Sequence, residues 1–258
     1  MTDFDLIAAE YDAQFSSSEI GAKQRQRVWK YLLRHTASEQ KVLELNCGTG
    51  IDAQFLGKRC QSVHATDLST EMIAAAKERN SLDNVSFQKL GIQALSEVKG
   101  HYDLIFSNFG GLNCISPEEW SLAGKEINRL LNTNGSFIAV IMSRKCLWER
   151  FYFRLKKDSK NQRRRISKQA VMANIGHQKV ATWYYGPTDI QYFLEKKLSH
   201  VRTKPIGLFL PPTYLESYFQ KNKGMLKALS FMESFSLSSD WLSNRADHYL
   251  IHFKKQQQ

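Results

Sequence analysis

The sequence predicts an α/β fold: a doubly wound, mostly parallel sheet of seven strands, with N-terminal helices and an inserted helix and β-hairpin lid. Three observations carry this reading. From residue 41 onward, short apolar runs alternate with stretches of helical period. The first run, Lys41–Asn46 (KVLELN), passes directly into a glycine turn and a helix near Ile51–Lys58. After an irregular stretch, the chain closes on a further apolar run, His248–Phe253.

Taken in order, the first 40 residues read as a helical cover. Ser62–Thr66 is the second strand, and Ser69 is placed to cap a helix running to Asn80. Asn84–Gln88 and Tyr102–Ser107 (YDLIFS) are the third and fourth strands. Pro117 opens a helix to about Leu131, because its fixed φ suits the first helical position. Asn134-Gly135 reads as a turn before the fifth strand, Ser136–Met142. Strands separated by helices imply right-handed crossovers and parallel neighbours. Beyond them, Cys146–Lys157 is apolar and basic at helical spacing. Ala170–Asn174 and Lys179–Tyr185 form a hairpin about Ile175-Gly176-His177. A helix Thr188–Lys196, a strand His200–Lys204, helices within 213–235 and the final strand complete the chain. The expected partition is a cover over 1–40, a cofactor-binding core over 41–143, a basic lid insertion over 144–186, and completion of the sheet with the substrate side over 187–258.

Charge divides along the same line. The 258 residues carry 36 Lys and Arg against 25 Asp and Glu, a net of +11. Residues 1–143 hold 14 basic and 17 acidic side chains, and residues 144–258 hold 22 and 8. The excess is densest over Arg154–Lys168, where eight cations face the single acid Asp158. No apolar run reaches the roughly 20 residues that span a bilayer. The acidic start lacks the basic-then-apolar order of a secretory signal. Cys47, Cys60, Cys114 and Cys146 have no metal-ligand spacing, which predicts reduced thiols in a cytoplasmic protein and no metal site.

The chemistry concentrates in Val42–Gly50 (VLELNCGTG). A strand ends in a turn whose glycines let the backbone approach a ligand at a helix N-terminus. Gly48, Gly50 and Ala53 satisfy the loose pattern G-x-G-x-x-A. Asp67 ends the second strand 17 residues after Gly50, where a ribose diol would lie. That much serves nicotinamide and adenosyl cofactors alike. Glu44, four residues before Gly48, suits a cationic ligand and would repel a pyrophosphate, so it favours the adenosyl reading over an NAD(P)-dependent oxidoreductase.

Together, LELNCGTG, ATDLSTEMI, NVSFQKLGIQAL and YDLIFSNF resemble, in order and spacing, the motifs of the class I S-adenosylmethionine-dependent methyltransferases. The likeness is greatest to the small-molecule group that includes the ubiquinone/menaquinone methyltransferases. The resemblance covers about residues 40–142, and AAEYDAQF, with Tyr11, resembles the family's N-terminal element over the cofactor. It implies a Rossmann-like core that binds S-adenosylmethionine and releases S-adenosylhomocysteine. It further implies that Gly48 and Gly50, with Asn46 and Cys47, admit the methionine moiety and that Glu44 lies near its ammonium group. Asp67 would accept the ribose hydroxyls, and Leu68 and Met72 would pack on the adenine. Asn108 and Phe109 would border the reactive sulfonium. Two positions depart from the family pattern: Asn46 stands for its first glycine, and Gly91 for the Asp that binds the adenine amino group, leaving that role to Ile92 or Gln93.

No catalytic base is singled out; His200 and Tyr184 are weak candidates on the substrate side. The expected partner is a small-molecule acceptor, anionic or bound to an acidic carrier protein, because the basic excess covers the acceptor half. The alternative is a nucleic-acid methyltransferase using the basic 154–168 patch with Arg163–Arg165 at its centre, although no recognised nucleic-acid module flanks the core.

Overall fold

The computed structural model describes Asp5 and residues 18–175, 178–194 and 198–256. In chain order the core elements are α1 (Glu19–Leu32), β1 (Lys41–Leu45), α2 (Ile51–Gly57), β2 (Ser62–Asp67), α3 (Thr70–Arg79), β3 (Val85–Lys89), β4 (Tyr102–Ser107), α4 (Pro117–Leu130) and β5 (Leu131–Met142). The segment expected as a lid, called the lid below, holds α5 (Leu147–Leu155), α6 (Ser159–Gln162), β6 (Val171–Ile175) and β7 (Gln178–Thr182). The chain then completes the sheet with α7 (Pro187–Leu194), β8 (Ser199–Ile206), α8 (Glu216–Gln220), α9 (Lys223–Glu233), α10 (Asp240–Ser243) and β9 (His248–Lys254).

The seven-stranded sheet has the order β3-β2-β1-β4-β5-β9-β8. β1 to β5 pair in parallel, while β9 runs antiparallel between β5 and β8. Strand order reverses at β1 and β4, so their carboxyl ends open a crevice where ligands of open α/β sheets bind. Both faces are covered, as the continuous apolar runs require. On β5, Phe137, Ala139 and Ile141 join one core with Trp120 and Ile127 of α4. Ile138 and Val140 join the other with Val28 and Leu32 of α1 and Leu56 of α2.

Local signals fix the helix starts. Ser69 Oγ accepts the Met72 N–H, and Ser116 with Glu119 forms a reciprocal capping box before Pro117. Asn134-Gly135 is not a turn between elements. Asn134 takes a left-handed φ of 65° within β5, whose pairing with β4 shifts register between Tyr102 and Leu104. The turn chemistry is present, but it makes an irregularity that lets the strand start at Leu131. Trp183–Tyr185 likewise leaves the hairpin, and Tyr185 forms an isolated bridge to Ser143. The turn residues Gly176 and His177 of that hairpin lie outside the described residues.

The expected basic patch at Arg163–Arg165 is largely folded inward. Arg163 is exposed, but Arg165 is 7% exposed. Arg164 and Arg165 both donate to the buried Glu149 of α5, at 2.8 and 2.9 Å, and Arg165 reaches Asp247 at 2.9 Å. A buried guanidinium is tolerable only when fully paired, and two carboxylates supply that pairing. Behind the lid, Glu233 at the end of α9 accepts the N–H groups of Gly207, Leu208, Phe209 and Leu210 at 2.7–3.3 Å. This fixes the loop that carries Pro212 and Tyr214 to the crevice.

Candidate active site

The crevice is a cavity of about 350 Å³, within the range of small-molecule sites. One half lies over the ends of β1, β2 and β4 and is lined by Asn46, Gly48, Asp67, Leu68, Ile92 and Asn108. The other lies beneath the lid, between Tyr184, Tyr214, Met142, Arg165 and His248.

Asn46 takes φ 55° and so occupies the turn with the backbone expected of a glycine. Gly48, at φ 52°, has nothing within 4 Å of where a Cβ would stand, and it faces the cavity. Its N–H donates to Asp67 Oδ2 at 2.9 Å, and the Ser69 N–H donates to Oδ1 at 2.9 Å. Burial pushes the Asp67 carboxyl up, against the pull of these donors. A carboxylate oxygen can accept more than one hydrogen bond, and Asp67 lines the cavity. Asn108 is held by Asp52, whose Oδ2 accepts its amide at 2.9 Å. Asp52 also pairs with Arg25 and accepts Trp29 Nε1 at 2.6 Å. Thus Asp52, at the start of α2, ties α1 to the loop after β4.

Of the residues expected to hold a cofactor, Asn46, Gly48, Asp67, Leu68, Met72, Gly91, Ile92, Asn108 and Phe109 line this cavity. Cys47 lines a small adjoining pocket. Glu44 and Gly50 line neither. Glu44 is 1% exposed behind the turn, and burial first, then Asp52, drive its carboxyl well above the usual range. Gly50 is needed for packing instead, since a Cβ there would stand 2.9 Å from Ala76 Cβ. Tyr11 lies outside the described residues. Gln93 lines the cavity, but its Nε2 is committed to Glu119 Oε1 at 2.9 Å.

Tyr184 lines the lid half, whereas His200 does not reach the cavity. His200 sits on the edge strand β8, its Nε2 2.8 Å from Thr203 Oγ1, opposite Phe253. The cavity end of β9 is marked by His248, opposite Ile206. Sequence reasoning missed Arg25, Asp52 and His248, which carry no local pattern and meet only through the fold.

Residues 42–135 match a family model described as a methyltransferase domain. The chain is 31% identical over 132 residues to the non-reducing polyketide synthase ausA of Penicillium brasilianum, a stretch that is 46% of this chain and 5% of the synthase. It is 34% identical over 107 residues to a malonyl-[acyl-carrier protein] O-methyltransferase of Bacillus cereus, covering 41% of this chain and 39% of that enzyme. The chain therefore spans less than half the length of these curated relatives. The crystal structure of an S-adenosylmethionine-dependent methyltransferase from Clostridium acetobutylicum superposes with a TM-score of 0.61 at 14% identity, over 99% of this chain and 100% of that one. That likeness is one of fold. With the motifs of β1, β2 and β4 gathered at the crevice and the family model matched across them, residues 42–135 form a methyltransferase domain on a Rossmann-like fold.

Proposed function

We propose that the protein transfers a methyl group from S-adenosylmethionine to a small acceptor that carries or develops negative charge, free or tethered to an acidic carrier protein. The observation that carries this reading is the continuity of the cavity, which runs from the Asp67 carboxylate to the chamber under the lid. The residues fit the cofactor. Gly48 leaves open space for the amino-acid portion, and Asp67 offers a carboxylate to a diol through charge-assisted hydrogen bonds. Leu68 and Ile92 supply apolar walls for a planar base. When bound, the cofactor supplies an electrophilic methyl group on a sulfonium. The chain's own contribution is alignment of the acceptor, which is worth roughly 7–11 kcal/mol in well-oriented reactions.

For the acceptor, support comes from the exposed lid cations Arg150, Arg154, Lys156, Lys157, Lys160 and Lys168, whose field draws anions toward the cavity. The Bacillus cereus relative, named for a carrier-bound acceptor, points the same way. The internal pairing of Arg164 and Arg165 takes two of the eight cations of the 154–168 patch away from a nucleic-acid reading. Calorimetry with S-adenosylhomocysteine tests the site. Losing the charge-assisted bonds of Asp67 costs about 1.5–3 kcal/mol, so Asp67→Ala should weaken affinity about 10- to 100-fold. Unchanged affinity refutes the assignment.

A further inference from the structure

We propose that His248 is the general base of this methyl transfer, held in place by Asp247 and Arg165, and that the acceptor presents an acidic hydroxyl on a planar ring. The proposal rests on the methyltransferase reading above and adds the group that removes the acceptor proton.

His248 opens β9, paired with Met142 on one side and Ile206 on the other. Its ring stands edge-on to Phe109, with centroids 5.2 Å apart, and Phe109 directly follows Asn108 at the end of β4. The imidazole therefore sits where the cofactor half of the cavity meets the lid half. Nδ1 lies 3.2 Å from Asp247 Oδ2. Asp247 cannot swing away, because Arg165 Nη2 donates to its Oδ1 at 2.9 Å and Arg165 Nη1 to its backbone carbonyl at 3.0 Å. Burial alone would push the Asp247 carboxyl up, but His248 and the Arg165 guanidinium outweigh it and hold it well below the usual range. A fixed carboxylate beside Nδ1 favours the ring proton on that nitrogen, which leaves the lone pair on Nε2. Among the described residues neither ring nitrogen makes a hydrogen bond, the Nδ1 contact with Asp247 being an ion-pair distance only, and the ring is part of the chamber wall.

The other ionisable groups of the chamber are poor bases. Arg25, Arg164 and Arg165 carry no lone pair. Burial pushes the phenols of Tyr184 and Tyr214 up, so both stay protonated at neutral pH. Cys114 directs its thiol to the Gly110 carbonyl at 3.8 Å. Asp67 stands at the far end, on two backbone N–H groups. The same chamber offers aromatic faces from Phe109, Tyr184 and Tyr214, the surfaces that stack a planar ring. Arg165 covers the Tyr184 ring at 5.0 Å, which fixes that wall.

In the step, the acceptor O–H proton moves to Nε2. The electron pair of that bond stays on oxygen and forms the new bond to the methyl carbon, and the pair of the methyl–sulfur bond leaves with sulfur. The imidazolium so formed is balanced by Asp247 and returns its proton to water after product release.

The test uses the full chain saturated with S-adenosylhomocysteine, and 4-nitrophenol as probe, because only its anion absorbs in the visible. At a pH just below the probe's own pKa, binding to the wild type should produce the anion band. His248→Gln should lose that band while calorimetry shows probe affinity kept within several-fold. A band retained in His248→Gln, a probe bound only as the neutral phenol, or no binding to the chamber overturns the proposal. Ring nitrogen-15 resonances give a second reading that needs no variant: the Nδ1–H tautomer is expected, and an Nε2–H tautomer overturns it. Failure of S-adenosylhomocysteine to bind would bring down the methyltransferase reading, whereas its binding without probe ionisation removes only the base.

Discussion

Replacing Gly50 and Gly48 by alanine, one at a time, should separate the folding role of the glycine turn from its binding role. Gly50 has φ 76°, and an added Cβ would stand 2.9 Å from Ala76 Cβ and 3.2 Å from Ala76 Cα. Gly48 has φ 52° and open space at the same point. Both alanines incur the left-handed penalty of about 1–2 kcal/mol. Only Gly50→Ala adds overpacking against the α3 backbone, which cannot rotate aside as a long side chain would, at about 1–3 kcal/mol. The expected losses are therefore about 2–5 kcal/mol for Gly50→Ala and about 1–2 kcal/mol for Gly48→Ala. In a domain of this size each kcal/mol lowers Tm by about 2–4 °C. The order should invert for ligand binding. The Gly48→Ala methyl projects into the cavity and should weaken S-adenosylhomocysteine about tenfold, roughly 1.4 kcal/mol. Gly50→Ala should leave affinity within about twofold, since it lines no part of the cavity. Thermal unfolding by circular dichroism and calorimetry well below both midpoints measure the pair. Equal destabilisation by the two alanines, or an affinity loss confined to Gly50→Ala, refutes the reasoning.

Two further outcomes follow from the buried charges. Arg165→Ala removes the guanidinium shared by Glu149 and Asp247, leaving Glu149 on Arg164 alone and Asp247 without its arginine, and should cost about 3–5 kcal/mol in urea unfolding, against about 0.5 kcal/mol or less for the exposed Arg163→Ala; similar values for both would contradict the inward-facing pairing. His252 is fully buried between Tyr31 and Ser136, and burial first, then His35 and Lys254, depress its pKa from 6.5 to about 3. The fold favours its neutral form, so that stability is complete above pH 6.5. It is lost as pH falls toward 3, at up to about 1.4 kcal/mol per pH unit. His252→Gln should flatten this acid slope, and an unchanged slope would assign it to other groups.

What could be read from sequence was what local rules encode. The strands are apolar runs, the helix starts carry their own caps, and the left-handed Asn46 follows from the need for a turn at the end of β1. What could not be read depended on which distant segments meet. Arg25, Asp52 and Asn108 are separated by 27 and 56 positions, and each alone resembles an ordinary surface residue. A run of three arginines reads identically whether it faces water or two buried carboxylates. His200 and His248 both begin late strands, and only antiparallel pairing decides between them. His200 lies opposite Phe253, at the far end of β9 from the crevice. Periodicity gives the strands but not their direction, and direction determines which histidine is in the site.

The loop at residues 207–210 has a consequence for substrate choice. Four successive amide protons converge there, the arrangement by which main chain cradles a phosphate. Glu233 already occupies that cradle with both oxygens, acting as a permanent internal counter-ion. The backbone nest beside Tyr214 is thus closed to an incoming phosphate. What this stretch offers to the lid chamber is therefore the side chains of Thr213 and Tyr214, which can be changed singly without rebuilding the main chain.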